Sequence, residues 1–347
     1  MKKKGNSVES KIFKQVVGID VSMDKLDIVL CYINNEQEII TQFSTIIDNK
    51  LKAFKKLTSM MEKYRIKEVP LWYNMEATGV YYEELAYYLS GKECQISVIL
   101  PNKGKQYCKS LNQKGKTDKM DAKMLARYGC ERKLECWKEP SPFTRQLREL
   151  TRERITLVQE RTRVKCQLHA KDHSFEPSPQ TIGRKNKFIE FINNQIDEVE
   201  AQIEALLKSN DEVYQKIVKI NSIKGLGIIT IATVVAETDG FSRFENIRQL
   251  VSFTGLDIKM NESGRFQGKT TISRKGNSFI RSALYMPAIS AATNNPDLKI
   301  YYQRISSRKK VKKMAVIPVA RKLLILIYTL WKKDTEYIVG YQSAKAA

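Results

Sequence analysis

Four carboxylates in this chain sit where a surface acid has little to do: Asp20 in GIDVS, Glu76 in NMEATG, and Asp118 with Asp121 in KTDKMDAK. Around them the chain is strongly basic. Its 347 residues carry 60 Lys+Arg against 38 Asp+Glu, a formal net charge of +22. A protein charged this way is drawn to polyanions, and every carboxylate it keeps weakens that attraction. Acids retained at the ends of apolar strands, among lysines, read as ligands for a hard cation such as Mg2+. The chemistry that follows is metal-assisted attack on a phosphodiester, with ions clamping the attacking and leaving oxygens.

Periodicity shows which elements must bring these acids together. Residues 15–21 (QVVGIDV) and 26–33 (LDIVLCYI) are β-branched strands joined by the polar SMDK turn, and QEIITQFSTI is a third strand. LKAFKKLTSMMEKY then has helical spacing, with Asp48 as its expected cap. PLWYNMEA is a fourth strand, GVYYEELAYYLSG a helix and QISVILP a fifth strand; a Lys/Gln-rich loop and the helix TDKMDAKMLARYGCERK follow. The order β-β-β-α-β-α-β-α is that of a ribonuclease-H-like sheet, in which the ends carrying Asp20, Glu76 and the Asp118/Asp121 pair converge on one edge. Asp118 and Asp121, three apart on a helix, face the same side.

Plainer readings compete. A helix start after Thr117 accounts for Asp118 as part of a cap, whereas Asp20 inside VVGIDV has no such local role. G-I-D after a strand also opens actin-like kinases and chaperone ATPases, but those need a Gly-rich phosphate loop at once, where Ser22, Met23 and Asp24 stand here.

From 143 to 209 the pattern changes to heptads. Leu147, Leu150, Leu157, Val164 and Leu168 form one stripe; after Pro177, Pro179 and Gly183, Ile192, Ile196, Val199, Ile203 and Leu206 form another. The first helix is rich in Arg and the second carries Asp197, Glu198, Glu200 and Glu204, which predicts an antiparallel hairpin or a dimerisation arm. Beyond 215 the chain reads as mainly helical. IKGLGIITIATVVAE has the form of a helix-hairpin-helix, in which Gly225 and Gly227 would let the turn approach a DNA phosphate. ENIRQLVSFTGL is a helix ending at Gly255, the basic segment DIKMNESGRFQGKTTISRKGN an exposed loop or hairpin, and 278–294 and 314–332 are apolar helices. The expected architecture is thus α/β plus all-α: a ribonuclease-H-fold catalytic domain over 1–140, a coiled-coil arm over 141–214, and a helix-hairpin-helix domain over 215–347.

Six cysteines with no C-x-x-C pair argue against a disulfide framework and for a reducing cytoplasm. The N-terminus has no apolar core after its lysines, so it is not read as a signal peptide. MAVIPVARKLLILIYTLW is interrupted by Arg321 and Lys322 and reads as a buried helix, so no membrane partner is expected.

GIDVSMDKLD, MEATGVYYEELAYYL, KTDKMDAKMLARY and the C-terminal IKGLGIITIATVVAETDGFSRFENIRQLVSFTGLD…SGR…ISRKGNSFIRSALY together resemble the DEDD transposases of bacterial insertion sequences, recombinases guided by a bridge RNA. The resemblance covers nearly the whole chain in the family's order. It implies an N-terminal domain similar to the junction resolvase RuvC, a coiled-coil arm and a C-terminal transposase domain. It implies that Asp20, Glu76, Asp118 and Asp121 bind metal, and that Ser263, in the S-G step of NESGRFQGK, attacks DNA and becomes covalently joined to it. The tetrad would then serve Ser263 from the other domain. No histidine accompanies Ser263; Lys259, Arg265, Lys269, Arg274 and Lys275 are the cations available to clamp a phosphate, with Lys116 beside the acidic helix. From pattern alone Ser263 is a turn former, and Ser273 and Ser22 are its rivals as nucleophile.

Other signals have ready structural explanations. Cys166, His169 and His173 have metal-like spacing on a helix but no fourth ligand nearby. Tyr81, Tyr82, Tyr87 and Tyr88 could stack on bases, but at helical spacing they cover the sheet. Arg308, Lys309, Lys310, Lys312 and Lys313 are a backbone or RNA contact, or a solvated stretch. The expected activity is Mg2+-dependent excision and insertion of an insertion sequence through a serine–DNA intermediate. Its partners would be DNA and a noncoding guide RNA, and the protein would work as a homodimer or homotetramer at the bacterial nucleoid. The alternative is a metal-dependent junction endonuclease that forms no covalent intermediate.

Overall fold

Three strands rich in β-branched residues open the chain and pair antiparallel: β1 (Ile12–Val21), β2 (Lys25–Asn34) and β3 (Ile39–Asp48). In this computed structural model the described residues are 11–112, 117–259, 262–263, 266–268, 271–309 and 311–340. After α1 (Leu51–Tyr64), β4 (Leu71–Glu76) adds parallel to β1; after α2 (Glu83–Ser90), β5 (Gln95–Ile99) adds parallel to β4. The five strands lie in the order β3-β2-β1-β4-β5. One face packs Val17, Ile19, Leu26, Ile28 and Met75 with Phe54, Leu57 and Met61 of α1 and Leu85 and Leu89 of α2. The opposite face packs Val16, Val29, Cys31 and Ile33 against α4 (Asp118–Glu131).

Two local expectations fail. Asp48 does not cap α1: it ends β3, and the N-cap is Lys50, which makes no side-chain cap. The segment expected as a Lys/Gln-rich loop is the helix α3 (Pro101–Ser110), whose first residue is a proline pre-set for a helical start.

The approach of α4 to the sheet depends on missing side chains. A Cβ on Gly18 of β1 would lie 2.2 Å from both the Ala122 carbonyl oxygen and the Ala126 nitrogen, and one on Gly129 would lie 2.5 Å from Val16. The buried Asn74 of β4 donates its Nδ2 to the Leu125 carbonyl at 2.8 Å, which pins the helix further. Thr117 caps its start, accepting from the Met120 amide.

The chain divides after Glu139 into two compact units. In the second, α5 (Pro142–Asp172) and α6 (Pro179–Lys208) run antiparallel, with Arg154 paired to Glu200 at 2.8 Å and Arg161 bonded to Asn193. Pro179 opens α6, so Gly183, expected in the break, lies inside the helix. Val164, Ile192 and Ile196 form the distal seam, whereas Leu147, Leu150, Val199, Ile203 and Leu207 belong to the main helical core.

That core is completed by α7 (Asp211–Asn221), α8 (Ile228–Thr238), α9 (Ile247–Thr254), α10 (Ser278–Asn294), α11 (Pro296–Ser306) and α12 (Val316–Lys333). Leu323, Leu324 and Ile327 of α12 are fully buried there, as the interrupted apolar run predicts. Arg152 of α5 makes a bidentate pair with the buried Glu237 of α8, at 2.6 and 2.9 Å. Glu237 also accepts from Asn277, the N-cap of α10, and Arg148 donates to the Ala236 carbonyl. Arg148 and Arg152 of the Arg-rich first helix therefore fasten the root of α5 to the helical core.

Candidate active site

Side chains alternate along β1, so Asp20 projects from the same face as Gly18, the face covered by α4. Its cross-strand partner is Asp27 of β2. Directly opposed residues of an antiparallel pair share a face, so two carboxylates stand side by side there, an arrangement that is unfavourable without a counter-charge. Glu76 ends the neighbouring strand β4, on the face shared with Asn74. Its carboxylate rests over Gly104 of α3, where a Cβ would come within 2.7 Å of Oε2. Asp118 and Asp121 form the first turn of α4.

These acids feel one another. The Asp20 carboxyl is pushed up to about 6, first by burial, then by the negative charges of Asp121, Asp118, Glu76 and Asp27. Asp27 is also raised, by burial and then by Asp118, against the opposing pull of Lys25 and Lys119. Asp20 thus lies within electrostatic reach of Glu76, Asp118 and Asp121, with Asp27 as a fifth acid that the residue pattern did not single out. Its signal was present: a tight turn at Ser22–Lys25 fixes the register so that residue 20 meets residue 27.

An all-oxygen donor set of this kind suits a hard cation such as Mg2+. Among the described residues no group of three or more His, Cys, Asp or Glu is drawn tight enough to hold an ion. Carboxylates that repel one another contract into a shell only when a cation neutralises them.

The segment between α9 and α10 carries two short ladders, β6 (Ile258–Lys259) with β9 (Thr271–Ile272) and β7 (Glu262–Ser263) with β8 (Phe266–Gln267). Ser263 is exposed and pairs with Phe266. Its two rivals are engaged in structure. The Ser273 hydroxyl donates to the Asp257 carboxylate, and the Ser22 hydroxyl donates to the Lys25 carbonyl at 2.8 Å. Lys259, Arg274 and Lys275 are exposed; Lys116, Arg265 and Lys269 lie outside the described residues. Arg274 adopts φ +53, a strained conformation for a residue with a Cβ, and its amide donates to the Gly255 carbonyl at 3.1 Å.

The two glycines of the α7–α8 turn differ. Gly225, at φ +92, lies against α10, where a Cβ would meet the Ala291 nitrogen at 2.5 Å; its smallness serves packing within the protein. Gly227, the N-cap of α8, has nothing within 4 Å of its Cβ position. On the arm, His173 Nδ1 bonds to the His169 carbonyl at 2.8 Å, an intrahelical contact. Arg308, Lys309, Lys312 and Lys313 are exposed, and Lys310 lies outside the described residues.

Two family models match this chain. Residues 17–171 of this chain, a stretch that includes all five acids, match a model described as a transposase, and residues 218–303 match one described as the transposase IS116/IS110/IS902 family. The pilin gene-inverting proteins of Moraxella bovis and Moraxella lacunata are each 26% identical over 331 residues, covering 93% of this chain and 98% of theirs. The transposase for insertion sequence element IS1111A of Coxiella burnetii is 26% identical over 148 residues, 42% of this chain and 40% of that protein.

Proposed function

The chain belongs to the IS116/IS110/IS902 family of transposases, and from that premise we propose that it excises and inserts its element by Mg2+-dependent strand cleavage and exchange through a serine–DNA intermediate. The reading is supported by the positions of Asp20 near the end of β1, Glu76 at the end of the parallel strand β4 and Asp118 and Asp121 in the first turn of α4, with the charges of the other three acting on Asp20. We read the first unit, with its order β3-β2-β1-β4-β5, as a RuvC-like ribonuclease-H fold, α5–α6 as the coiled-coil arm, and the remainder as the transposase domain with α7–α8 as its helix-hairpin-helix.

Asp20, Glu76, Asp118 and Asp121 would hold Mg2+, with Asp27 near enough to add negative charge. Bound there, the ion would neutralise charge building on the phosphate oxygens. The residues themselves do the rest. Ser263 Oγ attacks phosphorus and forms a new O–P bond; the bond from phosphorus to the departing sugar oxygen breaks. The serine proton is lost as the bond forms, and one proton reaches the departing oxygen as it becomes a hydroxyl. Arg274, Lys275 and Lys259 neutralise the phosphate, and Gly227 at the start of α8 presents backbone N–H groups to the DNA backbone. The covalent link conserves the energy of the phosphodiester, so a second sugar hydroxyl reverses the attack and completes exchange without hydrolysis. The same exchange inverts a segment when its sites face one another, the outcome for which the two Moraxella relatives are named. A noncoding guide RNA would choose the DNA partners, and pairing of active sites calls for a homodimer or homotetramer.

The test is direct. Incubated with Mg2+ and DNA carrying the element ends, then denatured, the protein is expected to migrate as a covalent DNA adduct. Ser263→Ala should form none while still binding DNA, and Asp20→Ala should neither cut nor form one. Cut strands without an adduct would establish the endonuclease alternative; an adduct surviving Ser263→Ala would transfer the nucleophile to another residue.

A further inference from the structure

Of the four tyrosines that follow Glu76, three have structural work. Tyr82 and Tyr88 pack against the core of the first unit, and Tyr87 meets Trp137 edge-on with ring centroids 5.4 Å apart. Tyr81 is 43% exposed, beside Val80 at 66%. The loop that carries them leaves β4 immediately after Glu76. It turns at Gly79, whose φ of +56 favours glycine, and the Tyr81 ring lies 3.7 Å from the place a Cβ would occupy there.

A third exposed apolar side chain, Met23 at 61%, stands at the tip of the turn between Asp20 and Asp27. The two loops are stapled together. Asn49 donates its Nδ2 to the Ser22 carbonyl at 2.9 Å and to the Tyr81 carbonyl at 3.0 Å, and its backbone amide to the Asp24 carbonyl at 2.8 Å. Asn49 thus ties the backbone of the loop that continues from Asp20 to that of the loop that continues from Glu76, and each loop carries exposed apolar side chains. Exposed Lys25, Lys50 and Lys52 lie beside these loops in the chain, together with exposed Asp24 and Asp48.

Single exposed apolar residues need no explanation, but a stapled group bordering a cluster of acids does. Apolar side chains fringed by lysines complement a strand whose base has left the stack: the base face meets the side chains, and the phosphates meet the cations. Continuity with the carboxylate cluster selects nucleic acid as the occupant.

We propose that Met23, Val80 and Tyr81 form a wedge that receives an unstacked base next to the phosphate held at the carboxylate cluster. The inference deepens the proposed function and rests on it for the place of that phosphate.

The experiment uses the full chain with Ca2+ in place of Mg2+, so that no strand is cut. The probes are a DNA duplex carrying 2-aminopurine and the same strands with a short unpaired bubble around that base. Wild-type binding is expected to raise 2-aminopurine fluorescence in the duplex. Combining Tyr81→Ala with Val80→Ser should suppress that rise and weaken duplex binding about tenfold, the scale of one lost base–aromatic stack. On the bubble, already unstacked, the loss should be about threefold or less; Tyr81→Phe should match wild type on both. Equal loss on the two DNAs, no loss on either, or no fluorescence rise with the wild type would overturn the wedge. A change in oligomeric state of the double variant on size-exclusion would overturn it too, because the face would then be a contact between copies. The readout is unstacking, so a failed adduct assay with Ser263 and Asp20 leaves its meaning intact.

Discussion

Replacing Gly18 by alanine tests whether α4 is docked as closely as the acidic cluster requires. The added Cβ would lie 2.2 Å from two backbone atoms of α4, at Ala122 and Ala126, and 2.8 Å from the Ala126 Cα. That is about 1 Å short of ordinary carbon contact, and backbone cannot swing aside as a side chain would. The helix must move outward by roughly that amount, carrying the turn of Asp118 and Asp121 away from Asp20. Overpacking of this kind costs about 1–3 kcal/mol. A displacement of about 1 Å in catalytic groups lowers rates by about a hundredfold. Thermal melting and the Mg2+-dependent adduct assay measure the two effects. As a comparison, Gly183 lies within α6 with nothing within 4 Å of its Cβ position, and alanine there should stabilise by about 0.5–1 kcal/mol through helix propensity. A Gly18→Ala protein that melts and reacts like wild type would refute the close docking of α4 as the basis of the site.

Three further outcomes are expected. The Asp20 carboxyl is raised to about 6, so the native state binds its proton more tightly than the unfolded chain; this contribution favours folding below pH 4 and is lost as pH climbs through 6. Because Asp20 is only partly buried and solvent screens its charge, Asp20→Asn should stabilise the metal-free protein by about 1 kcal/mol at pH 8 while abolishing cleavage, and Mg2+ should raise the melting temperature of wild type more than that of the variant. Glu237→Ala removes the carboxylate joining Arg152 and Asn277 and should cost about 2–4 kcal/mol in urea unfolding. Arg274→Ala and Lys275→Ala should each weaken DNA binding and reduce the slope of log affinity against log salt by about 1, as expected for a lost phosphate contact.

Much of the first unit was legible because strand and helix periods differ and turn residues punctuate them. The five strands, α1, α2 and α4 follow alternation, β-branching and the Thr117 cap. Helix α3 was missed because PNKGKQYCKS has too little apolar periodicity to declare itself; Gly104 and Tyr107 are its buried positions. Asp27 was missed because a carboxylate on a strand looks like surface until its register partner is known.

Sequence alone determined the basic character of this protein, the spacing of its acids and the order of its elements, because those follow from composition and from side-chain period along a local chain. Tertiary structure decided how the pieces are used. It placed Asp20 beside Asp27, let α4 reach the sheet through Gly18, engaged Ser273 with Asp257, and left Tyr81 outside while its three neighbours packed. Those outcomes depend on contacts between residues far apart in the chain, where volume and charge are decided by whatever else the fold brings to the same place.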